Sequence, residues 1–242
     1  VRLVTIAVGL SILGSLGGVI VASSFLLLGE TIRTRLIPWL ISFAVGTLVG
    51  VALIDLVPEA LLRLPPRPAM FTMVLGILAF FLLEKAVIWR HCHDAEECHV
   101  HNRAASLVIV GDVFHTFVDG AVIAAAVLTS VPLGLTTALA VAAHEIPQEV
   151  GDVAILLRAG YSRLRAFTLN VLAGGGGILG AAAMVMAGRA LPQVLPYVLA
   201  FAAGNFLYVA MADLIPDLHR GHTGAGRQLL LIAGGVIIIA LL

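Results

Sequence analysis

Long uninterrupted apolar runs constrain this chain more than any other feature. A run of roughly 20 apolar residues is long enough to cross bilayer hydrocarbon as a helix. In that medium only a helix or a closed barrel satisfies its own backbone. Eight such runs are read at about 3–28, 36–58, 69–89, 104–128, 134–157, 166–188, 194–216 and 229–242. The last is short, which leaves room for a start before Leu229. Breakers separate them: Glu30 to Arg35, Leu64 to Pro68 with three prolines, Val131-Pro132, Arg158 to Arg165 and His219 to Arg227. The first run is too long for a signal peptide and is followed by no small-residue cleavage site; a start at Val1 without an initiator Met suggests a trimmed chain. The runs leave no length for a soluble domain, so the expectation is a single all-α integral membrane domain over 1–242. Apolar residues make up 60% and charged ones 12%, against about a quarter charged in soluble domains. That excludes a soluble globule, a disordered chain and a nucleic-acid binder with a basic face.

The 14 acidic and 14 basic residues cancel, but they are distributed differently. Thirteen of the bases lie in loops or termini, whereas eight acids fall inside apolar runs with Lys85 as the one base among them. An acid in hydrocarbon costs on the order of 3 kcal/mol or more unless it has a partner or a wet cavity, so these acids need a reason. Glu84 and Lys85, adjacent near a span end, read as a snorkelling or paired couple with no part in transport. Loop arginines set orientation. Nine lie after spans 1, 3, 5 and 7 (Arg33, Arg35, Arg90, Arg103, Arg158, Arg163, Arg165, Arg220, Arg227) and four on the other side. The richer side should be cytoplasmic, with both termini outside. Cys92 and Cys98 then lie in a reducing cytoplasmic loop, where a structural disulfide is not expected. That loop, 90–103, holds His91, Cys92, His93, Cys98, His99 and His101. Tracts of this composition bind metal, although the spacing matches no folded finger.

One internal repeat is visible. FAVGTLVGVALIDLVPE (43–59) and FAAGNFLYVAMADLIPD (201–217) share eight of 17 positions, and Glu59 aligns with Asp217. Span 2 runs outward and span 7 inward, so the repeat is inverted (helices 1–3 against 6–8), an arrangement common in secondary transporters.

Span 4 carries Asp112, His115 and Asp119, spaced three and four apart and therefore on one helical face. Span 5 carries HEIPQEVGD (144–152). His144 and Gln148 are expected on one face, with Glu145, Glu149 and Asp152 on the adjoining one. Pro147 removes a backbone hydrogen bond and should kink the helix, freeing a carbonyl. His115, His144 and Glu145 fall near mid-span. Imidazoles and carboxylates from two helices at one depth suit a divalent zinc, iron, manganese or cobalt ion.

HTFVDG (115–120) followed by HEIPQEVGD resembles the ZIP family (Zrt/Irt-like metal transporters), whose usual patterns are HNxxDG and HExPHExGD. The resemblance covers the eight-span layout and, read as that of a prokaryotic member, implies an eight-helix bundle in the cell (inner) membrane with both termini outside. It implies uptake of divalent metal into the cytoplasm by movement of helices 1, 4, 5 and 6 against 2, 3, 7 and 8. By matching position, it implies a metal site between helices 4 and 5, with His115, Asp119, His144, Glu145 and the Gln148 position as ligands and Glu149 near the path. Gln148 stands where the motif has His, which lowers zinc affinity or moves preference toward manganese or iron. Thr116 stands where Asn is usual, and span 6 has no acid, so one principal site is expected. Asp55 and Glu59 would mark the outer mouth, Asp213 and Asp217 the inner one, and Asp112 and Asp152 would receive the ion.

The metal is cargo, zinc first, with iron, manganese and cadmium as alternatives, and no cofactor is expected. Partners are the ion and the bilayer; small-residue faces such as Gly174 to Gly177 allow close packing within a chain or in a homodimer. Two other functions stay open. HEIPQ partly matches the HExxH of zinc metalloenzymes, which would make the chain an intramembrane hydrolase. HTFVD also suits a paired His-Asp site in a cation-diffusion efflux antiporter, although such proteins usually have six spans and a soluble tail.

Overall fold

A computed structural model describes residues 2–25, 28, 30–92, 100–220 and 224–242. Among them every regular element is helical. The order is α1 (Arg2–Phe25), α2 (Glu30–Gly50), a π turn (Val51–Leu56), α3 (Val57–Arg63), α4 (Pro66–Cys92), α5 (Val100–Thr129), α6 (Val131–Arg158) and α7 (Arg163–Ala190). A 3-10 turn (Pro192–Val194), α8 (Leu195–Tyr208), a second π turn (Val209–Leu214), α9 (Ile215–Arg220) and α10 (Ala225–Leu241) follow. Helix is continuous from Glu30 to Arg63, longer at both ends than the apolar run that announced it, because polar residues at a helix end are free to stay in water. The final helix starts at Ala225, ahead of its apolar run.

Among the described residues six helical stretches are long and apolar enough to cross a membrane, so the chain is a multi-pass membrane protein. They are Arg2–Ser24, Arg35–Arg63, Pro66–Leu83, Ile109–Thr129, Arg163–Ala190 and Pro192–His219. Helix α6 is 28 residues long but carries Glu145, Glu149 and Asp152, and α10 is apolar but only 17 residues long. Serines at the sequence breaks start helices as expected of N-caps: Ser130 accepts from Leu133 N at 3.3 Å and Ser162 from Arg165 N at 3.3 Å. Gly160, at φ +87°, turns the chain between α6 and α7, a conformation that side chains resist.

Packing follows small residues, as expected where lipid removes the hydrophobic drive between helices. The closest pairings are α5 with α7, α1 with α6, α2 with α10 and α4 with α8. A Cβ on Gly180 of α7 would stand 1.9 Å from Phe117 O of α5, and one on Gly120 of α5 1.9 Å from Gly177 O. The Gly174–Gly177 face is spent largely within the chain: Gly174 meets α1, Gly176 meets α5, Gly177 meets both, and Gly175 alone faces open space.

The two halves of the repeated segment pack alike. The π turns Val51–Leu56 and Val209–Leu214 fall at aligned positions, each just before a proline. A Cβ on Gly46 would meet Ile232 O of α10 at 2.1 Å; on the aligned Gly204 it would meet Met73 O of α4 at 2.0 Å. Reciprocally, Gly235 of α10 abuts Phe43 O and Gly76 of α4 abuts the aligned Phe201 O. The α2–α10 and α8–α4 pairs thus use equivalent backbone contacts. Arg35 and Arg227, from the segments after the first and seventh apolar runs, both lie near Trp39, 5.9 and 5.4 Å from its ring centre, so those segments share one end of the bundle.

Candidate metal centre

The two polar faces do meet. His115 and Asp119 come from the middle of α5, and His144 and Glu145 from the middle of α6. Each offers one ligand atom, and the four atoms lie within 4.8 Å of one another. His115 Nε2 is 3.2 Å from His144 Nε2, 3.4 Å from Asp119 Oδ2 and 3.6 Å from Glu145 Oε1. His144 Nε2 is 3.2 Å from Asp119 Oδ2 and 3.8 Å from Glu145 Oε1. A tetrahedral ion with ligand bonds of about 2.0–2.1 Å needs ligand separations of about 3.3–3.4 Å, close to those found. His144 Nδ1 donates to Ala140 O at 3.1 Å, which holds the ring in the tautomer whose Nε2 lone pair points into the cluster. Asp119 Oδ1 and both Glu145 oxygens have no hydrogen-bond partner. Acceptors crowded together without donors repel one another; a cation among them reverses the sign.

All four residues are buried, His115 the least so at 9% exposed. Its exposed edge faces a cavity of about 420 Å³ lined also by His144, Asp112, Gln148, Asp152, Asp213 and Asp217. The cavity thus joins the cluster to one end of the bundle, along four of the six path acids named from the sequence. Asp55 and Glu59 do not line it. Asp55 sits in the first π turn beside Thr136, and Glu59 pairs with Arg63 at 2.9 Å on the surface.

Gln148 lines the cavity together with His115 and His144. Asp152 lines the cavity with His144 and Gln148 and also lies near Glu149. At about 100° per residue it stands only about 40° round the helix from Gln148. Glu149 is fully buried, near Asp112 and beside Asn170 of α7. Helix α6 runs through Pro147 to Arg158. Thr116 is turned away from the cluster: its hydroxyl lies 2.9 Å from Ala173 O of α7 and 3.0 Å from Asp112 O, tying α5 to α7. Lys85 Nζ lies 5.5 Å from the Phe81 ring centre, in keeping with a snorkelling base. The His/Cys tract falls outside the described residues: α4 reaches Cys92 and α5 starts at Val100, with 93–99 and the tract's side chains undescribed.

Two neighbours of the site had no signal in the sequence. Phe80 of α4 meets the His115 ring edge-on, centroids 5.8 Å apart, and Phe206 of α8 lies 6.1 Å from His144. Aromatics in an apolar span look like any other lipid or core residue; only the packed fold shows them walling the imidazoles.

The sequence model described as "ZIP Zinc transporter" matches residues 89–242. The chain belongs to the ZIP family. It is similar to zinc transporter ZIP13 of Pongo abelii, 33% identical over 236 residues, with 88% of this chain and 70% of that protein covered. It is similar to zinc transporter ZIP13 of Homo sapiens at 30% identity over 274 residues, covering 88% and 74%. Zinc transporter foi of Drosophila melanogaster is 38% identical over 130 residues, 54% of this chain and 18% of that protein. The matched region of the family model takes in α5, α6 and both halves of the cluster.

Proposed function

We propose that this ZIP-family chain carries divalent transition-metal ions, zinc foremost, through the membrane by way of His115, Asp119, His144 and Glu145. The observation that carries the reading is the set of four buried ligand atoms at separations suited to a tetrahedral ion. Two imidazoles and two carboxylates neutralise a divalent ion, which is what crossing hydrocarbon requires. Family membership makes the chain a metal-cation transporter rather than an enzyme.

The proposed topology counts α6 and α10 with the six long apolar stretches, giving eight spans in one domain over 1–242. The aligned π turns and the matched glycine contacts support an inverted repeat of helices 1–3 against 6–8. Loop arginines support the Asp213/Asp217 end as cytoplasmic, both termini outside, in the inner membrane of a prokaryotic cell. The cavity then opens from the cluster to the cytoplasm, an inward-facing state. Gln148, Asp112, Asp152, Asp213 and Asp217 would receive the leaving ion, and Glu149 would stand behind them. Asp55 and Glu59 would mark the outer approach. The close packing of α1 with α6 and α5 with α7 supports their moving together against α2, α4, α8 and α10. The 90–103 tract would bind metal in the cytoplasm. The glycine face is occupied internally and lends a homodimer no support.

The hydrolase reading is disfavoured by Glu145. In HExxH that carboxylate is a base held off the metal; here its Oε1 lies 3.6 and 3.8 Å from the two Nε2 atoms, as a ligand would. The test is zinc uptake into liposomes holding purified chain. His144→Ala and His115→Ala should abolish it, and wild-type flux through both variants would refute the site.

A further inference from the structure

We infer that Gly18 of α1 is a positioning residue for the ligand Glu145. Its bare Cα seats the root of that side chain, and any side chain at position 18 would drive the carboxylate out of register with the other three ligands. The inference rests on the transport reading above and extends it to a helix that supplies no ligand.

Glu145 is the ligand that hydrogen bonding leaves loose. The His144 ring is held by Ala140 O. Neither carboxylate oxygen of Glu145 receives a hydrogen bond from a hydroxyl, amide or backbone group among the described residues. Ligating carboxylates are ordinarily oriented by such bonds, so here packing has to do it. Glu145 is fully buried, and α6 is closely paired with α1.

The approach is tightest at one point. Gly14-Ser15-Leu16-Gly17-Gly18 holds a GxxxG pair, Gly14 and Gly18, of the kind that lets membrane helices come together. A Cβ on Gly18 would stand 3.0 Å from Glu145 Cβ, 3.8 Å from its carbonyl carbon and 4.0 Å from its Cγ. One turn earlier, a Cβ on Gly14 would meet only side-chain tips, Ile123 Cδ1 at 3.3 Å and Val141 Cγ1 at 3.6 Å. Those tips can turn. The Cβ and carbonyl carbon of Glu145 can give way only if α6 moves. Gly17, beside Gly18, would meet nothing within 4 Å.

The magnitude decides that the contact matters. Ordinary contact begins at 3.4 Å, so a methyl at position 18 asks 3.4 − 3.0 = 0.4 Å of Glu145. Metal sites hold ligand distances to about 0.2 Å. The three atoms nearest that methyl all belong to Glu145, so the push falls on the α6 half of the cluster and not on His115 or Asp119 of α5.

The test is zinc affinity of the full chain in nanodiscs, by competition with a chelating dye, with melting of the zinc-free chain alongside. Gly18→Ala should bind zinc at least tenfold more weakly than wild type, whereas Gly14→Ala and Gly17→Ala should match it. The deciding arm is a double-mutant cycle with Glu145→Gln, a variant that weakens zinc but keeps an oxygen donor. In that background Gly18→Ala should cost nothing further, since the ligand it acts through is already compromised. Wild-type affinity for Gly18→Ala would overturn the positioning role. So would an equal loss in both backgrounds, or loss of the zinc-free melting transition in Gly18→Ala, either of which makes Gly18 a packing residue only. Wild-type affinity for Glu145→Gln would overturn Glu145 as a ligand, and the role of Gly18 with it.

Discussion

Replacing Gly180 by Ala tests whether α7, which contributes no ligand to the histidine cluster, nevertheless sets its geometry. The new Cβ would stand 1.9 Å from Phe117 O, 2.8 Å from Phe117 C and 3.0 Å from Ala121 N. Ordinary contact begins at 3.4 Å, so the methyl must gain 3.4 − 1.9 = 1.5 Å. The obstacle is helix backbone, which has no rotamer to change, so α5 and α7 must separate or slide. Phe117 lies between His115 and Asp119, and both ligands move with it. Metal sites hold ligand distances to about 0.2 Å, so a shift near 1 Å in one half of the cluster should weaken zinc roughly a hundredfold, about 2.7 kcal/mol. Overpacking should also lower stability by about 1–3 kcal/mol. The control is Gly175→Ala on the same helix, where a Cβ meets nothing within 4 Å. Zinc affinity by competition with a chelating dye, and thermal unfolding in one detergent, should separate the two variants. Equal affinity and equal melting for Gly180→Ala and wild type would refute the argument that this helix contact fixes the site.

Other consequences follow from particular residues. Thr116→Val should destabilise the chain by about 1 kcal/mol through loss of the hydroxyl contact with Ala173 O, while leaving zinc affinity at the cluster unchanged; thermal melts and dialysis check both. Gln148→His should raise zinc affinity relative to manganese, since it adds an imidazole to the cavity beside His144; competitive uptake of the two metals measures the shift. Arg63→Ala should change stability by less than about 1 kcal/mol, because its pair with Glu59 is exposed. Uptake should fall as pH drops, since protons compete with metal for the cluster's ligands; flux at matched ionic strength across a pH series shows the sign.

Much of the site was legible because it depends on local spacing. His115 and Asp119 are one turn apart on one helix, and HEIPQEVGD carries its own periodicity, so the sequence places these groups on faces without knowledge of the fold. The apolar runs likewise locate the helices. What escaped depends on which helix lies across from which. Gln148 shares a face with His144, and only the packed fold shows that this face opens on the cavity. Thr116 marked a departure from the family pattern, yet nothing local showed that its hydroxyl bonds α7. Asn170 is a lone amide inside the glycine-rich helix 163–190, and only the packed fold sets it beside Glu149. The π turns had none beyond the repeated acid-Leu-x-Pro ending, since a one-residue widening of a helix leaves the hydrophobic pattern intact.

The central claim is that His115, Asp119, His144 and Glu145 hold the transported ion within the membrane. Zinc K-edge X-ray absorption on the full chain, loaded with less than one equivalent so that only the tightest site fills, tests it most directly. The expected spectrum shows two imidazole nitrogens and two carboxylate oxygens at about 2.0–2.1 Å, with the nitrogen scattering halved in His144→Ala. Sulfur at about 2.3 Å, or an all-oxygen shell unchanged by His144→Ala, would contradict it.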